Sequence, residues 1–380
     1  MLQTALFMAG MSTIVQSYPI GPVGGRIPVV MGTSIAFVGA IVAIGQELSL
    51  AAIFGACLVA SLAEVALGAS IGRLQRFFPP LVNGTVVMLI GLTLIPVGMD
   101  YAAGGVGAAD YGSRSNLSIA GLVGLVTLGL NRFSKGFLRH GSMLVGAGVG
   151  YAAAVALGKV DFTRVAEAGW IEVPRPLAMG LEFHLMPIVV LAFVYIVSSM
   201  ETLGDISGTL AAVGRQPTTR ELRGGLLADG VMSGLAALFS AFPNTSYSQN
   251  VGLVNFTGVV SRHVTAIAGM MLVALGVIPK VAAAFATIPP AVIGGGGLIM
   301  FSMIFASGLA IVHRNVPMTS RTMVILAVAI GLGLGVELRP DVLQHLPEGA
   351  RMFFGTGLVS GGLAALVLNL VIPEEGRLEA

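Results

Sequence analysis

Four acidic residues lie inside long apolar stretches of the sequence, namely Glu64, Glu201, Asp205 and Asp229. An ionised side chain at the centre of a bilayer costs at least about 2.5–3.5 kcal/mol, so such residues usually face a cavity or a partner. Carboxyl groups that meet in a cavity can bind and release a proton, and they can accept N–H bonds from a substrate. Alternatively, backbone amides or a basic side chain cap them, and Glu64 could equally serve as a gate or packing contact.

The spacing of these acids predicts which of them lie close together. Glu201 and Asp205 are four residues apart and therefore share one face of a helix, one turn from each other. Asp229 belongs to the next apolar stretch. The sequence therefore predicts that carboxyl groups of two successive helices meet.

The segment Phe242–Gly252 is too polar for a helix that faces lipid. Unpaired backbone survives at membrane depth only in the protein interior or along a watery cavity. We interpret the segment as a short extended piece followed by a half-helix that begins near Ser248, with its N-terminal amides facing a cavity. Gln249 and Asn250 supply donors and acceptors, which suits the edge of an amide-like heterocycle. Polar packing between helices is the alternative.

A related stretch, Ile27–Phe37, has the same character: an extended entry and then a half-helix. Phe37 could stack on a flat ring, although packing in the core explains it equally well.

The composition indicates which elements position these residues. Of 380 residues, 55% are hydrophobic and only 10% are charged, whereas soluble proteins carry about 25% charged residues. A membrane-spanning helix needs roughly 20 apolar residues, and we predict thirteen such spans with short linkers. The sequence lacks HExxH, P-loop and nucleophile-elbow motifs, so nothing in it favours an enzyme. Its one cysteine, Cys57, excludes disulfides within the chain.

Alternate linkers hold most of the Lys and Arg residues. By the positive-inside rule these linkers are cytoplasmic, which places the C-terminus inside. We therefore expect a multi-pass protein of the inner (plasma) membrane, with the lipid bilayer as its surroundings and no nucleic acid partner.

Two pairs of short segments echo each other. Phe78–Gly84 corresponds to Ile288–Gly294, and Gly32–Ser34 corresponds to Asn244–Ser246, with offsets that agree to within two residues. The two copies enter the membrane from opposite sides, as in the inverted repeats of transporters. At that offset the partner of one span would lie before Met1, so we expect thirteen of fourteen spans, with the first helix missing.

The segment Gln249–Gly258 matches the signature of the nucleobase–ascorbate transporters (nucleobase:cation symporters). Glu201–Asp205 resembles the family's Glu-x-x-Gly-Asp, and Gly224–Gly230 resembles the start of the following helix. Ser248 and the pair Ser261-Arg262 are similar to the bacterial xanthine and uric acid permease branch.

The resemblance implies an all-α, seven-plus-seven inverted-repeat fold with two helices broken by short antiparallel β-strands, at Ile27–Phe37 and Pro243–Val254. A core domain would comprise residues 1–78 and 186–278. A gate domain would comprise residues 79–158 and 279–372, and it would form a homodimer.

The resemblance also implies roles for the polar residues. Glu201 would accept the purine N–H groups, Gln249 would bond the ring from the other side, and Asn250 would support the site. Backbone near three further residues would complete the pocket: Ile35, Ala36 and Phe37.

Coupling would fall to Asp229, supported by Asp205 and Ser248. The implied function is import of xanthine or uric acid by symport with H⁺, or with Na⁺, and it requires no cofactor. The alternatives are a permease for uracil or another nucleobase, and a transport-inactive truncated homologue.

Overall fold

The structure, a computed structural model, describes residues 1–74, 79–211, 213–247, 250–251, 254 and 259–373. The chain in these ranges is predominantly helical. The helices before residue 170 are α1 (Leu2–Ser17), α2 (Val38–Glu47), α3 (Leu50–Leu74), α4 (Pro80–Ala102), α5 (Arg114–Phe133), α6 (Phe137–His140), α7 (Ser142–Ala156) and α8 (Thr163–Glu167). Those that follow are α9 (Leu185–Ala211), α10 (Thr219–Leu238), α11 (Arg262–Gly276), α12 (Pro279–Ala286), α13 (Pro290–Asn315), α14 (Ser320–Leu338), α15 (Glu348–Phe354) and α16 (Gly357–Val371).

The length and apolar composition of the helices indicate a membrane protein. Among the described residues, six helices are long and apolar enough to cross a bilayer, or seven if α11 and α12 count as one span. Shorter apolar helices include Ile35–Glu47, Ser142–Ala156 and Gly357–Val371. The predicted total of thirteen spans stays a prediction.

Two short strands pair far from each other in sequence. β1 (Met31–Thr33) runs antiparallel to β2 (Asn244–Ser246), with Gly32 opposite Thr245. Both strands are largely buried, so their backbone groups must be paired within the protein. The pairing includes two residues of the first echoed tripeptide, Gly32 and Thr33, and all of the second. A 3₁₀ turn at Ile35–Phe37 then leads from β1 into α2.

The described chain forms two compact units. The first comprises Met1–Leu89, Ile171–Ile278 and the chain from Gly308 onward; the second comprises Ile90–Trp170 and Pro279–Ser307. The division into core and gate domains stays a prediction.

In the first unit, α1 packs against α11, and α3 packs against α9 and α10. A Cβ atom at Gly10 would lie 2.5 Å from the carbonyl oxygen of Gly269, so only glycine permits this approach of α1 and α11. A capping box begins α10, in which Thr218 Oγ1 accepts from the N–H of Glu221 and the Thr218 N–H donates to Glu221 Oε2. The packing of α3 against α9 and α10 holds together the helices that carry the four acidic residues of the sequence prediction.

In the second unit, α5 packs against α7 around a small apolar cluster that includes Ile119, Val123 and Ala154. Lys159 Nζ lies 2.7 Å from Asp110 Oδ2, and this hydrogen bond lowers the pKa of the Asp110 carboxyl. The second unit thus has its own core and its own surface ion pair.

Candidate functional site

Helices α3 and α10 approach each other closely beside two acidic residues. A Cβ atom at Gly230 would lie 2.9 Å from the backbone nitrogen of Val65, so the absence of a side chain at Gly230 lets the two backbones come together. Glu64 and Asp229 immediately precede these two residues in the sequence. The close approach therefore brings the carboxyl groups of α3 and α10 into the same buried region.

Glu64 is fully buried, with 0% exposure. Its Oε1 accepts a hydrogen bond of 3.0 Å from the Ser199 hydroxyl of α9. Its Oε2 has no hydrogen-bond partner among the described residues. The sequence left Glu64 open between a functional acid and a gate or packing contact; the structure places it beside Asp229, the predicted coupling residue.

Asp229 is also fully buried. Its Oδ2 accepts a hydrogen bond from the Thr202 hydroxyl, while Oδ1 lacks a hydrogen-bond partner in the described part of the chain. Asp229 and Glu64 interact electrostatically. Ser199 and Thr202 are three residues apart and therefore share one face of α9, so a single helix face donates to both acids.

Hydroxyl groups extend this arrangement to β2. Thr202 Oγ1 lies 3.2 Å from Thr245 Oγ1, and the Ser246 hydroxyl donates to Asp205 Oδ2 at 2.7 Å. Asp205 is buried as well. The three acids Glu64, Asp205 and Asp229 thus belong to one region in which α9 and β2 supply hydroxyl partners.

Glu201, the predicted substrate contact, is half-buried on α9. It precedes Thr202 in sequence and interacts electrostatically with Tyr247, the residue after β2. A half-buried carboxylate can accept N–H bonds from a ligand without full burial of its charge. Its role stays a prediction.

Asn250 is buried, and its Nδ2 donates a 2.7 Å hydrogen bond to the carbonyl oxygen of Pro28. This bond ties the signature segment to the chain just before β1, a geometry suited to support. Ser248 and Gln249 lie outside the described residues.

The backbone predicted to complete the pocket is the 3₁₀ turn after β1. Ala36 is buried and Ile35 is half-buried. Phe37 has 0% exposure and packs edge-on against Tyr195, with ring centroids 4.6 Å apart. The packing explanation of Phe37 thus has a partner in the structure, while its part in substrate binding stays a prediction.

The polar face of α1 was not predicted from the sequence. Thr13 Oγ1 accepts from the Met31 N–H of β1 at 3.0 Å, and Asn244 Nδ2 of β2 donates to Ser12 Oγ at 3.1 Å. Gln16 Oε1 accepts from the Gly25 N–H at 3.0 Å. A signal was present in the sequence, because four polar residues lie on one side of the second half of this helix: Ser12, Thr13, Gln16 and Ser17.

A separate cavity of about 640 Å³ lies at the start of α10. Its lining includes Arg26, Arg220 and Arg223 and none of the predicted site residues. This basic cavity is distinct from the acidic region.

A membrane-spanning helical fold that buries acidic residues is typical of secondary transporters. The family model Xan_ur_permease, described as "Permease family", matches residues 1–342. The chain therefore belongs to this family, and the resemblance to the nucleobase–ascorbate transporters is confirmed. Family membership makes it a multi-pass transporter rather than an enzyme.

Proteins of similar sequence include three bacterial permeases. The chain is 43% identical over 374 residues to a putative purine permease of Clostridium perfringens, covering 98% of this chain and 82% of that protein. It is 37% identical over 367 residues to the xanthine permease of Bacillus subtilis, covering 96% and 84%. It is 38% identical over 365 residues to the uric acid permease PucK of the same organism, covering 96% and 85%.

Solved structures show a similar fold at low identity. The transmembrane domain of the cyanobacterial bicarbonate transporter BicA has a TM-score of 0.56 and 18% identity, covering 97% of this chain and 88% of that one. The murine anion transporter Slc26a9 in its inward-facing state has a TM-score of 0.60 and 12% identity, covering 97% and 66%. These similarities concern the fold alone.

Proposed function

We propose that the chain is a secondary transporter that imports xanthine, uric acid or both across the inner membrane by proton symport. The observation that carries this proposal is the 37% identity over nearly the whole chain to a xanthine permease, together with 38% identity to a uric acid permease. The signature motif and its acidic flanks agree with these relatives. The acidic residue at the predicted site also favours a substrate with N–H donors.

Recognition would centre on Glu201. Its carboxylate would accept the N–H groups of one purine edge, while Gln249 bonds the ring from the other side. Asn250 would hold the signature segment in place through its bond to the Pro28 carbonyl. The backbone of Ile35–Phe37 would complete the pocket.

Coupling would depend on Asp229, with Asp205 and Ser248 in support. Asp229 is fully buried and has hydroxyl rather than basic partners among the described residues, a setting in which gain and loss of a proton change its interactions strongly. Na⁺ is the alternative co-transported ion.

The proposed architecture is a fourteen-helix inverted repeat in which the β1 and β2 segments interrupt two helices. The core would move against the gate in an elevator-like or rocking motion, in a homodimer formed through the gate, with the C-terminus in the cytoplasm. The antiparallel pairing of β1 with β2 supports the repeat.

Uptake of radiolabelled xanthine, uric acid and uracil by cells that express the chain tests the substrate. We expect xanthine or uric acid uptake above the vector control, and its loss when an uncoupler removes the proton gradient but not when Na⁺ is replaced. Uptake of uracil alone would show that the substrate assignment is wrong.

Glu201→Gln tests the site, because the amide keeps the shape of the side chain but loses the carboxylate's acceptor strength. Glu167→Gln makes the same chemical change on an exposed helix and serves as the control. We expect Glu201→Gln to weaken xanthine uptake at least about tenfold, which corresponds to 1.4 kcal/mol. Wild-type affinity and rate in this variant would contradict the site assignment.

A further inference from the structure

We infer that Glu64 and Asp229 form one proton-binding site, in which two buried carboxyl groups hold a single proton on one of them or shared by both. The role of this site in transport rests on the proposed symport. The existence of the site does not, because it follows from the burial and hydrogen bonding of the two side chains.

The first support for this site is the position of the two acids in the fold. The backbones of α3 and α10 approach at Val65 and Gly230, the residues that follow the two acids, and the carboxyl groups interact electrostatically. Each acid has one oxygen that accepts from a hydroxyl of α9 and one that has no hydrogen-bond partner among the described residues. Two oxygens without donors therefore belong to neighbouring acids.

The second support is that neither acid has an ion-pair partner among the described residues. The ion pairs among the described residues join Lys159 to Asp110, His184 to Glu182, Arg215 to Glu221 and Arg351 to Glu47, so none involves Glu64 or Asp229. Two ionised carboxylates that are both buried and close together would repel each other and would each lose their hydration. One bound proton removes one of the two charges.

The same proton supplies the missing donor. A protonated carboxylic acid has one O–H donor, whereas a carboxylate only accepts. The O–H of one acid can therefore donate to the oxygen of the other that lacks a donor. Both of these oxygens then have a hydrogen-bond partner. The site takes up one proton from water and returns one to water, and no other bond forms or breaks.

The described titratable side chains that interact with the pair supply no positive charge that could take the place of the proton. α9 presents Tyr195, which interacts electrostatically with both acids, and Asp205, which interacts with Asp229; α3 itself presents Cys57 next to Tyr195. These neighbours are neutral or acidic side chains. The remaining charged residues of the elements packed against α3 are Glu201 on α9, Arg220, Glu221 and Arg223 in the first turns of α10, and Glu47 at the end of α2.

Infrared spectroscopy tests the site without requiring transport. In the purified full chain at neutral pH, we expect the C=O stretching band of a protonated, buried carboxylic acid. Glu64→Gln and Asp229→Asn should each remove or shift that band, and Glu337→Gln, which changes a carboxyl of α14, should leave it in place. A band that is unchanged in both Glu64→Gln and Asp229→Asn would overturn the inference. Monodisperse elution and helical circular dichroism exclude misfolded variants.

The pH profile of xanthine uptake tests the coupling between the two acids. Glu64→Gln removes a neighbouring negative charge, so Asp229 should lose its proton more easily, and the pH of half-maximal uptake should fall by at least about one unit. Ser199→Ala removes the donor to ionised Glu64, so the midpoint should rise. A packing role for Glu64 would instead lower uptake equally at every pH, and that result would overturn the inference.

These two readouts separate the inference from the proposed function. If the wild-type chain takes up no purine while the infrared band responds as expected, the proposed function fails and the proton site stands. If the wild-type chain takes up xanthine while neither the band nor the midpoint responds to Glu64→Gln, the proton site fails and the proposed function stands.

Discussion

Two settings for acidic side chains occur in the first unit, and they differ in what donates to the acid. Glu337, near the end of α14, accepts a 2.8 Å hydrogen bond from the backbone N–H of Gly357 at the start of α16. Glu64 and Asp229 accept only from hydroxyl groups, and each keeps an oxygen without a hydrogen-bond partner in the described chain. Glu337 is also half-buried, whereas the other two acids are fully buried.

The difference separates a structural acid from one that can change its charge. A backbone N–H can only donate, so it can stabilise a carboxylate but cannot accept a hydrogen bond from a protonated acid. A hydroxyl can donate to a carboxylate or accept from a carboxylic acid, so it suits either protonation state. The contact of Glu337 therefore joins two helices, while the hydroxyl-lined pair can gain and lose a proton.

Replacing Asp229 should have the largest effect on transport. Asp229→Asn keeps the shape and the contact with Thr202 but fixes a neutral group, so we expect active xanthine uptake to fall by at least about tenfold. The remaining uptake should no longer respond to the proton gradient, and xanthine exchange without a gradient should persist. Asp110→Asn, at an exposed loop, is the matched control. Gradient-driven uptake at the wild-type rate in Asp229→Asn would remove the contrast with Glu337.

The sequence alone predicts several of the acidic residues that the structure places in one buried region. An acidic residue in an apolar stretch is visible without a structure, and the spacing of Glu201 and Asp205 places them on one helix face. The echoed tripeptides Gly32–Ser34 and Asn244–Ser246 can likewise be found by comparison of the chain with itself. These features are local, or repeat at a fixed offset, and therefore survive in one dimension.

The partnership of Glu64 with Asp229 could not be predicted in this way. It depends on the register of α3 against α10, which a close contact between Val65 and Gly230 determines. Nor does the sequence indicate that Ser199 and Thr202 face these acids rather than lipid, because helices of membrane proteins lack the simple polar and apolar faces of soluble ones. Contacts between helices that are far apart in the sequence can therefore be identified only from the three-dimensional structure.

Span counting has a physical limit as well. α10 carries Arg220, Glu221 and Arg223 in its first turns, and helices such as α2 and α16 are short, so length and apolarity alone do not classify them. Inverted-repeat transporters use broken helices near the substrate. The criterion that identifies ordinary spans is therefore least informative around the site.

Enlarging Gly230 should disturb the acidic pair through packing. A Cβ atom in Gly230→Ala would meet Val65 Cγ2 at 2.8 Å and Val65 N at 2.9 Å, and overpacking of this kind costs about 1–3 kcal/mol. We expect a lower melting temperature in detergent and a shifted pH midpoint of uptake. Gly331→Ala, on an open face of α14, is the control and should not destabilise the protein. Equal melting temperatures for the two variants would show that α3 and α10 are not tightly packed here.

Removing one hydroxyl should have a smaller effect. Thr202→Val keeps the volume but removes the donor to Asp229, which costs about 1–3 kcal/mol if the acceptor is left unsatisfied. The ionised form of Asp229 should suffer most, so the pH of half-maximal uptake should rise, while Thr202→Ser should keep the wild-type midpoint. A shift of the same size in Thr202→Ser would show that the methyl group, rather than the hydroxyl, matters.

Glu337→Gln should have the smallest effect on transport and completes the comparison. The amide oxygen can still accept from the Gly357 N–H, so only the charge-assisted part of the bond is lost, about 1 kcal/mol. We expect a slightly lower melting temperature and an unchanged pH midpoint of xanthine uptake. The reason is that the described donor to Glu337 is a backbone N–H, not a hydroxyl group beside a second acid. Glu337→Ala also removes the acceptor and should destabilise the contact between α14 and α16 further. A midpoint shift in Glu337→Gln as large as that in Glu64→Gln would mean that burial alone, and not the kind of donor, determines which acids of this fold respond to protons.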